Sequence, residues 1–369
     1  MDHESVLKAP KDVLPMGFVA SETSTCRELE TAAMHCDSTG QVLVVNSEKG
    51  REVAVQLRRQ FPDLRLRVDI APWRRAWATA GAPHEGGEDI FGLSGWCELR
   101  FPVSAGIEAY TPSRHLRAAD VETRQALLAE TAEVPENIIT RIAIEADVLD
   151  AKNRTKFFED LDRTPRRRFA FVFTAKRDPL AKFQRLHGLR MLLARFPGVE
   201  IDHIDPLVAG DALAHGASWV GIGASSARRM PTRPGDKGGP PAAGFLPGLF
   251  HEDFLELRSP AVYADWFANA PSPRCEQCGR RLDMFDATDS DKARIVAHNI
   301  HQMTDHIGRL AAQTAADRPR WLRDRRLDAH ARHMQLNPVE GLELNKNLHR
   351  FLELDDPDLR SMTPLGIWK

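Results

Sequence analysis

The sequence predicts an α/β protein whose core is a TIM-type (β/α)8 barrel. Short apolar runs of β-forming residues alternate with segments of helical spacing from residue 41 onward. Because strands that are joined through helices lie parallel, this rhythm indicates βα crossover units. Seven or eight such units favour a closed barrel over an open doubly wound sheet. The first strand is not followed by the Gly-x-Gly-x-x-Gly pattern of a dinucleotide-binding fold.

The strand predictions depend on apolar runs that are bounded by polar or turn residues. Seven segments fit, at residues 41–46, 64–69, 98–104, 137–145, 169–174, 199–205 and 218–223. Helical spacing predicts helices at residues 50–61, 120–133, 152–163, 179–196, 208–215 and 290–316. Pro179 is expected to open one of these helices, and Gly216 is expected to close another.

Three segments fall outside this rhythm. Residues 1–40 are polar and aperiodic and are expected to form an N-terminal arm. Residues 317–369 are expected to form a helical C-terminal extension to a barrel of residues 41–316. The Pro/Gly-rich stretch 230–248 follows a strand end, so we expect it to lie over the active face of the barrel.

The charge and cysteine content exclude several classes of protein. The chain has 369 residues and a formal net charge of -2, which gives no global attraction to nucleic acid or to an anionic membrane. No run of about 18 apolar residues predicts a membrane span, and no secretory signal is recognisable. Five cysteines in a chain of this length do not make a disulfide framework. We therefore expect a cytoplasmic protein with reduced thiols or a metal site.

A metal site is predicted near residues 272–306. Cys275-Glu-Gln-Cys278 can present two thiolates to one tetrahedral ion, and His298 and His301 share a face of the predicted long helix. These four residues are the candidate ligands of a structural zinc ion, Zn²⁺. The alternatives are a redox pair or two unlinked thiols. Two replacement ligands stay open, His306 and Asp283.

Carboxylates at predicted strand ends are the candidate catalytic residues. Asp69, Glu145 and Asp205 each close a strand, and the carboxyl ends of barrel strands meet over the active site. A carboxylate there can act as a nucleophile or a general base. The alternative is that each one caps the following helix. Asp202 and Asp205 are expected on opposite faces of their strand because side chains alternate.

Glycines and arginines after the last strand form a candidate substrate-binding segment. Gly221 and Gly223 would let a ligand approach the backbone. Three arginines that follow could then bind phosphates: Arg228, Arg229 and Arg233. Arginines at 166–168 and 318–332, with Trp321, would suit a nucleic-acid backbone and a stacked base. The alternatives are a flexible surface loop for the first segment and a solvated face for the other two.

Several motifs carry a family resemblance. Cys275-Glu-Gln-Cys278 is similar to the last two cysteines of a zinc knuckle, and Ala297-His298-Asn299-Ile300 to a His-Asn ligand motif that opens a long helix. Met230-Pro231-Thr232-Arg233 is similar to a Pro-Thr-Arg loop after a catalytic strand. On these motifs the chain resembles the tRNA-guanine transglycosylase superfamily. Within that superfamily, the sequence of this chain is more similar to divergent members that are linked to 7-deazaguanine in DNA.

The resemblance implies a zinc-containing barrel that exchanges guanine for a 7-deazaguanine-type base through a carboxylate nucleophile. The acceptor would be DNA or tRNA, and the second partner a purine or 7-deazapurine base. Asp69 resembles the aspartate that binds the base and assists proton transfer. Two departures matter: Pro273 stands where the family has a third cysteine, and the family's nucleophile position falls on Gly221 or Gly223. Asp205 is then the best candidate nucleophile.

Two other functions stay open at this stage. One is a small-molecule nucleobase glycosyltransferase on the same barrel, which the near-neutral net charge favours. The other is a non-catalytic, zinc-containing barrel that binds nucleic acid, which the missing acid near Pro231 favours. No membrane partner is expected, and a homodimer is left open.

Overall fold

Eight parallel strands close into one barrel, so the prediction of a TIM-type α/β fold is confirmed. The strands are β1 Met16–Ala20, β2 Val42–Asn46, β3 Arg65–Asp69, β4 Glu108–Tyr110, β5 Ile138–Glu145, β6 Phe169–Thr174, β7 Glu200–Ile204 and β8 Trp219–Gly223. Each strand pairs with its sequence neighbour, and β1 pairs with β8 to close the ring. This computed structural model describes residues 14–22, 27–86, 92–100, 107–131, 134–135, 138–165, 168–236, 246–336 and 346–356.

Helices surround the barrel. They are α1 Glu28–Thr39, α2 Gly50–Gln60, α3 Gly92–Arg100, α4 Val121–Glu130, α5 Ala151–Asp162, α6 Phe183–Arg195, α7 Pro206–Ala214, α8 Ser226–Arg229, α9 Pro260–Trp266, α10 Asp289–Ala311, α11 Arg318–Leu336 and α12 Lys346–Asp355. The helix that is expected to open at Pro179 begins at Phe183, because Pro179 and Leu180 form a turn before it. Within the described residues, no helix is both long enough and apolar enough to cross a membrane.

Side-chain alternation divides each strand between two cores. In β6, Phe169, Phe171 and Phe173 pack outward in the large cluster that includes the helices. Ala170 and Val172 point inward, where the barrel interior also holds Tyr110 and Trp219. Successive residues of a strand face opposite sides, so one apolar run serves both cores. This explains why β6 reads as continuously apolar.

The first strand lies in a segment that was expected to be an arm. Met16–Ala20 is fully buried and pairs with both β2 and β8, so the barrel does not close without it. α1 then packs Leu29, Ala32, Ala33 and Cys36 against the core. Polar residues flank this short apolar run, so the composition of the segment does not indicate a strand there. Residues 1–13 lie outside the described part of the chain.

The strand expected at residues 98–104 is contradicted over residues 98–100, which are helical. Residues 92–100 form α3, in which Leu93, Trp96 and Cys97 recur at helical i, i+3, i+4 spacing and are buried. The fourth strand comes later, as the three-residue β4. A strand this short carries too little periodicity to be predicted. Residues 101–106 lie outside the described residues.

An insertion follows β8 before the last large barrel helix. It contains the antiparallel hairpin β9 Leu249–His251 and β10 Glu256–Arg258, followed by α9. Its small separate core includes Phe254, Tyr263, Trp266 and Phe285. α10 then packs against α1 and α7 of the barrel. α10 also packs against β9 of the insertion.

A buried ion network attaches α11 and α12 to the barrel. Asp211 on α7 accepts from Arg326 of α11 (2.9 Å) and from Arg190 of α6 (2.6 Å). The same two arginines reach Asp355 at the end of α12 (2.8 and 2.5 Å). Asp211 is fully buried, and the two guanidinium groups outweigh its burial and hold its pKa well below the usual range.

We predict that Asp211→Asn strongly destabilises the fold. It leaves two guanidinium groups with Asp355 as the one carboxylate that both still share, and breaking a buried ion pair typically costs about 3–5 kcal/mol. Chemical denaturation of the wild type and the variant measures the change. Asp317→Asn is the matched control, because its ion pair with Arg320 is exposed and contributes little. A denaturation midpoint for Asp211→Asn equal to that of the control would contradict the prediction.

Candidate active site and metal centre

A buried carboxylate, Asp69, lies inside the barrel at the carboxyl end of β3. Its Oδ1 accepts a hydrogen bond from the backbone N–H of Ala71 (2.8 Å). Its Oδ2 accepts from Asn46 Nδ2 and from Trp73 Nε1, both at 3.3 Å. Burial opposes ionisation, but the other contacts, led by Arg141, outweigh it and lower the pKa of Asp69 to about 2. Asp69 is therefore a fixed anion, and both of its oxygens already accept hydrogen bonds.

Arg141 of β5 joins two aspartates across the barrel interior. Its Nη1 donates to Asp202 Oδ2 at 2.6 Å, and its Nη2 lies 3.1 Å from Asp69 Oδ2. The guanidinium also stacks over the ring of Tyr110, 3.6 Å from the ring centre. All of these side chains are buried. Sequence reasoning missed Arg141, although a lone charge inside the apolar run of β5 is a signal for it.

A β-bulge in β7 separates the two aspartates of that strand. His203 has a φ of 59°, and the pairing register shifts between Asp202 and Ile204. A bulge changes the direction of the side chains that follow it. Asp202 points into the barrel, whereas Asp205 caps α7, where its Oδ1 accepts the N–H of Val208 at 3.0 Å. Asp205 therefore has the capping role that the sequence left open as an alternative.

Asp205 also lines a cavity of about 250 Å³ between the strand-end loops and the β9–β10 hairpin. Asp178, in the loop after β6, and Arg229 of α8 line the same cavity. Burial and the nearby charge of Asp178 raise the pKa of Asp205 to about 6. Burial raises the pKa of Asp178 and lowers that of Arg229 to about 10. Such shifts in a cavity are typical of functional sites.

The segment that contains Pro231 and Arg233 is docked on the open face of the barrel. The carbonyl of Pro231 accepts the N–H of Ala175 after β6 (3.3 Å). Arg233 donates to Glu145 at the end of β5 (3.2 Å) and pairs with Asp236 (2.9 Å). Two carboxylates thus already neutralise Arg233. Residues 237–245 of the Pro/Gly-rich stretch lie outside the described part.

The glycines of β8 make room for this chain's own atoms. A Cβ at Gly221 would lie 1.5 Å from Asp202 Oδ1, and a Cβ at Gly223 would lie 2.3 Å from the carbonyl carbon of Arg228. The expected approach of a ligand to this backbone is therefore blocked. Arg228 is buried in the barrel mouth and donates to Asn46 Oδ1 at 3.1 Å.

A second cavity, of about 600 Å³, lies over the carboxyl ends of β1, β2 and β3. Asn46 and Arg74 line it, and Arg74 Nη1 donates to Asn46 Oδ1 at 3.1 Å. This cavity touches the buried network through Asn46, which donates to Asp69, and through Ala71, whose backbone N–H also donates to Asp69. Asp69 itself is 1% exposed.

Three predicted metal ligands converge in the insertion. Three residues each offer one ligand atom, and these atoms lie within 4.8 Å of one another: Cys275, Cys278 and His298. The loop between the cysteines closes through the N–H of Gly279, which donates to the Cys275 carbonyl (2.8 Å). Gly279 has a φ of 68°, a conformation that glycine adopts without strain. The cluster can bind a metal ion, and two thiolates with an imidazole are compatible with zinc.

The orientation of His298 suits a metal ligand. Its Nε2 lies 2.9 Å from the carbonyl oxygen of Phe250, which only accepts hydrogen bonds, so Nε2 carries the proton. Nδ1 then directs its lone pair towards Cys278 Sγ, 3.6 Å away. A backbone partner that fixes the tautomer is characteristic of metal-binding histidines. The hydrogen bond between the two thiols lowers the pKa of Cys275 and raises that of Cys278.

The other candidate ligands lie outside this three-residue cluster. His301 Nε2 lies 2.9 Å from His35 Nδ1 of α1. His301 Nδ1 is buried and has no hydrogen-bond partner among the described residues, so it can still serve as a ligand atom for a metal ion. Neither His306 nor Asp283 belongs to the cluster that the described residues form.

The arginines of the C-terminal extension are largely paired with acids. The pairs are Arg320–Asp317, Arg323–Asp356, Arg325–Asp253, Arg326–Asp211 and Arg332–Asp253. Trp321 packs against His306 instead of offering an open stacking surface. Arg168 pairs with Glu108 and Glu200, while Arg166 and Arg167 lie outside the described residues. This pattern of paired charges fits a solvated protein surface, which the sequence left open as the alternative, better than a phosphate-binding surface.

No protein-family model matches the chain, and no curated protein matches it at a significant level. The geometry of its own residues therefore carries the functional argument.

We predict that Cys275→Ser and Cys278→Ser each lose bound zinc and lower the melting temperature of the zinc-loaded protein. A serine hydroxyl is a poor zinc ligand, and the binding free energy of a structural ion contributes to folding. Elemental analysis and thermal unfolding with and without a chelator measure both effects. Cys97→Ser, a buried cysteine far along the chain from the cluster, is the control. Full zinc retention in both knuckle variants would contradict the metal site.

Proposed function

We propose that this protein is a transglycosylase that exchanges guanine for a 7-deazaguanine-type base in DNA or tRNA. The observation that carries the proposal is the carboxyl of Asp205, which lines a cavity at the carboxyl ends of the barrel strands with a pKa of about 6. At neutral pH this carboxyl is mostly ionised. A carboxylate is the kind of nucleophile that such an exchange needs.

Asp205 fits the nucleophile better than Asp69 or Glu145 does. Both oxygens of Asp69 already accept hydrogen bonds, and its side chain is buried. Both oxygens of Glu145 are engaged, one by the N–H of Ala118 (3.0 Å) and one by Arg233 (3.2 Å). Asp205 is partly exposed and lines the cavity. We therefore assign attack to Asp205 and positioning to the other two.

The proposed exchange has two balanced steps. An oxygen of Asp205 attacks C1′ of the nucleotide while the bond from C1′ to the guanine nitrogen breaks, and the departing base takes up a proton. The incoming base then loses a proton, and its nitrogen attacks C1′ and releases Asp205. The protons taken up and lost cancel over the cycle. In a duplex, the target base must first leave the stack.

The zinc ion, when bound, would act as a structural centre that supports the cavity wall. Asn299, next to the ligand His298, accepts the N–H of Phe250 (2.7 Å) and donates to the carbonyl of Gly248 (2.8 Å). Gly248 and Phe250 both line the Asp205 cavity. α10 therefore connects the metal cluster to the proposed active site through two consecutive residues.

One observation favours a second candidate function, a glycosyltransferase for small-molecule nucleobases. The arginines that could follow a phosphate backbone are mostly neutralised by acids. The cavity also lies below the range of roughly 300–1,000 Å³ that is typical of larger ligands. A free nucleoside would not need the basic surface that a polymer needs.

We predict that Asp205→Asn lowers base exchange roughly 10³-fold or more, because the amide cannot form the covalent intermediate. The assay measures entry of labelled guanine into tRNA, duplex DNA or a free nucleoside by folded, zinc-loaded protein. Asp162→Asn, on the exposed face of α5, is the control. Wild-type activity in Asp205→Asn would exclude this nucleophile. Labelling only of the nucleoside would favour the second candidate.

We also predict that the exchange rate rises through a pH of about 6. Asp205 attacks only as the carboxylate, and burial together with Asp178 raises its pKa to about 6. Below that pH the protonated fraction grows, so kcat/KM, which reports the pKa of the free enzyme, falls about tenfold per pH unit. Rates at constant ionic strength from pH 4.5 to 8 measure the profile. A flat profile across this range would contradict the assignment.

A further inference from the structure

One wall of the metal site is a stripe of polar side chains on α10. His298, His301, Gln302 and Asp305 lie at positions i, i+3, i+4 and i+7, so they share one face of the helix. All four meet the cysteine loop, residues 275–278. The contacts are His298 Nδ1 to Cys278 Sγ (3.6 Å), Gln302 Nε2 to Cys275 Sγ (3.7 Å), Gln277 Nε2 to Asp305 Oδ2 (2.8 Å), and an interaction of His301 with the Cys275 thiol. The loop is therefore docked along this stripe, which includes His301.

His301 has a second contact, with α1 of the barrel. Its Nε2 lies 2.9 Å from His35 Nδ1, and the two rings meet edge to face with their centres 4.6 Å apart. At this distance one ring donates a hydrogen bond to the other. Because His35 engages Nε2, the nitrogen of His301 that remains for the cysteine loop is Nδ1. His301 thus joins the metal cluster to α1.

The shared proton can sit on either ring. If His301 Nε2 carries it and His35 Nδ1 accepts, the neutral His301 ring keeps a free lone pair on Nδ1. If His35 Nδ1 donates instead, the neutral His301 ring carries its proton on Nδ1, which then cannot bind a metal ion. Metal-binding histidines usually donate their other ring N–H to a partner that fixes the tautomer. Ligation by His301 therefore requires His35 as the acceptor.

α1 belongs to the part of the chain that closes the barrel. It follows β1, which pairs with both β2 and β8, and it packs against α10. The contact between His35 and His301 is a polar link between these two helices. A coupling between two sites is reciprocal, so whatever fixes one of the two rings favours the position of the other.

We propose that His35 is a positioning residue of the metal centre: it holds His301 in the tautomer that ligates through Nδ1, and metal binding in turn stabilises the docking of α1 on α10. The centre then has four ligands, two thiolates and two imidazoles, which is the usual number for a structural zinc ion. This inference does not rest on the proposed function, because it concerns metal binding and not base exchange.

The first test measures zinc affinity of the full-length protein by competition with a chromophoric chelator. His301→Ala removes a ligand and His35→Leu removes the acceptor, so each should weaken zinc binding about tenfold or more. His35→Asn should stay near the wild type, because its Oδ1 can accept from His301 in place of Nδ1. Both His35 variants should fold, since the side chain is partly exposed. Met34→Ala is the control, at the exposed neighbour of His35 on α1.

Hydrogen–deuterium exchange tests the reciprocal effect. In the wild type, zinc should slow exchange in α1 as well as in the cysteine loop, relative to chelator-treated protein. In His35→Leu at saturating zinc, the loop should keep its protection while α1 loses the part that depends on zinc. A merely structural role of His35 would change exchange in α1 equally with and without zinc. α5 serves as the internal reference.

Several outcomes overturn the inference. They are a zinc affinity of His35→Leu or His301→Ala equal to that of the wild type, and a loss in His35→Asn as large as in His35→Leu. The same effect of zinc on α1 in the wild type and in His35→Leu also overturns it, as does a wild type that binds no zinc. Loss in His35→Leu, rescue in His35→Asn and zinc-dependent protection of α1 support the inference, whether or not base exchange is observed.

Discussion

The ion pair between Arg141 and Asp202 constrains the interior of this barrel. Barrels of this class usually fill their interior with layers of branched apolar side chains. Here a fully buried guanidinium holds two aspartates from different strands, and removal of Arg141 would leave two buried carboxylates without their cation. Gly221 follows from this arrangement, since the Asp202 carboxylate fills the space of any larger side chain. The bulge at His203 follows Asp202 directly, and Asp205 then caps α7 at the cavity.

The metal cluster and the Asp205 cavity are connected through α10. His298 and Asn299 are neighbours on α10, and both bond the backbone of β9. His298 turns its other ring nitrogen to the cysteines, while Asn299 fixes the strand that lines the cavity. A metal ion bound at this place would stiffen the cavity wall without touching the reacting atoms. The insertion therefore has a physical role in the proposed chemistry.

Periodicity predicted most of the fold, and local chemistry predicted part of the site. Six of the seven proposed strands correspond to strands of the barrel, because buried β-runs such as β6 are strongly apolar. β1 and β4 were missed, one within polar surroundings and one because it has only three residues. The sequence indicated Asp205, Cys275, Cys278 and His298, whose residue types and spacing carry the signal. It did not indicate Arg141, whose contacts join distant strands, or Asp178, which lines the Asp205 cavity from the loop after β6.

The most direct test is mass spectrometry of the protein after incubation with the guanine-containing substrate and no incoming base. If Asp205 is the nucleophile, a sugar adduct accumulates on the peptide that contains it, and Asp205→Asn shows none. An adduct on Asp69, Glu145 or Asp202 would place the chemistry elsewhere in the barrel. The absence of any adduct, from folded and zinc-loaded protein exposed to tRNA, duplex DNA and free nucleoside in turn, would contradict covalent exchange by this site.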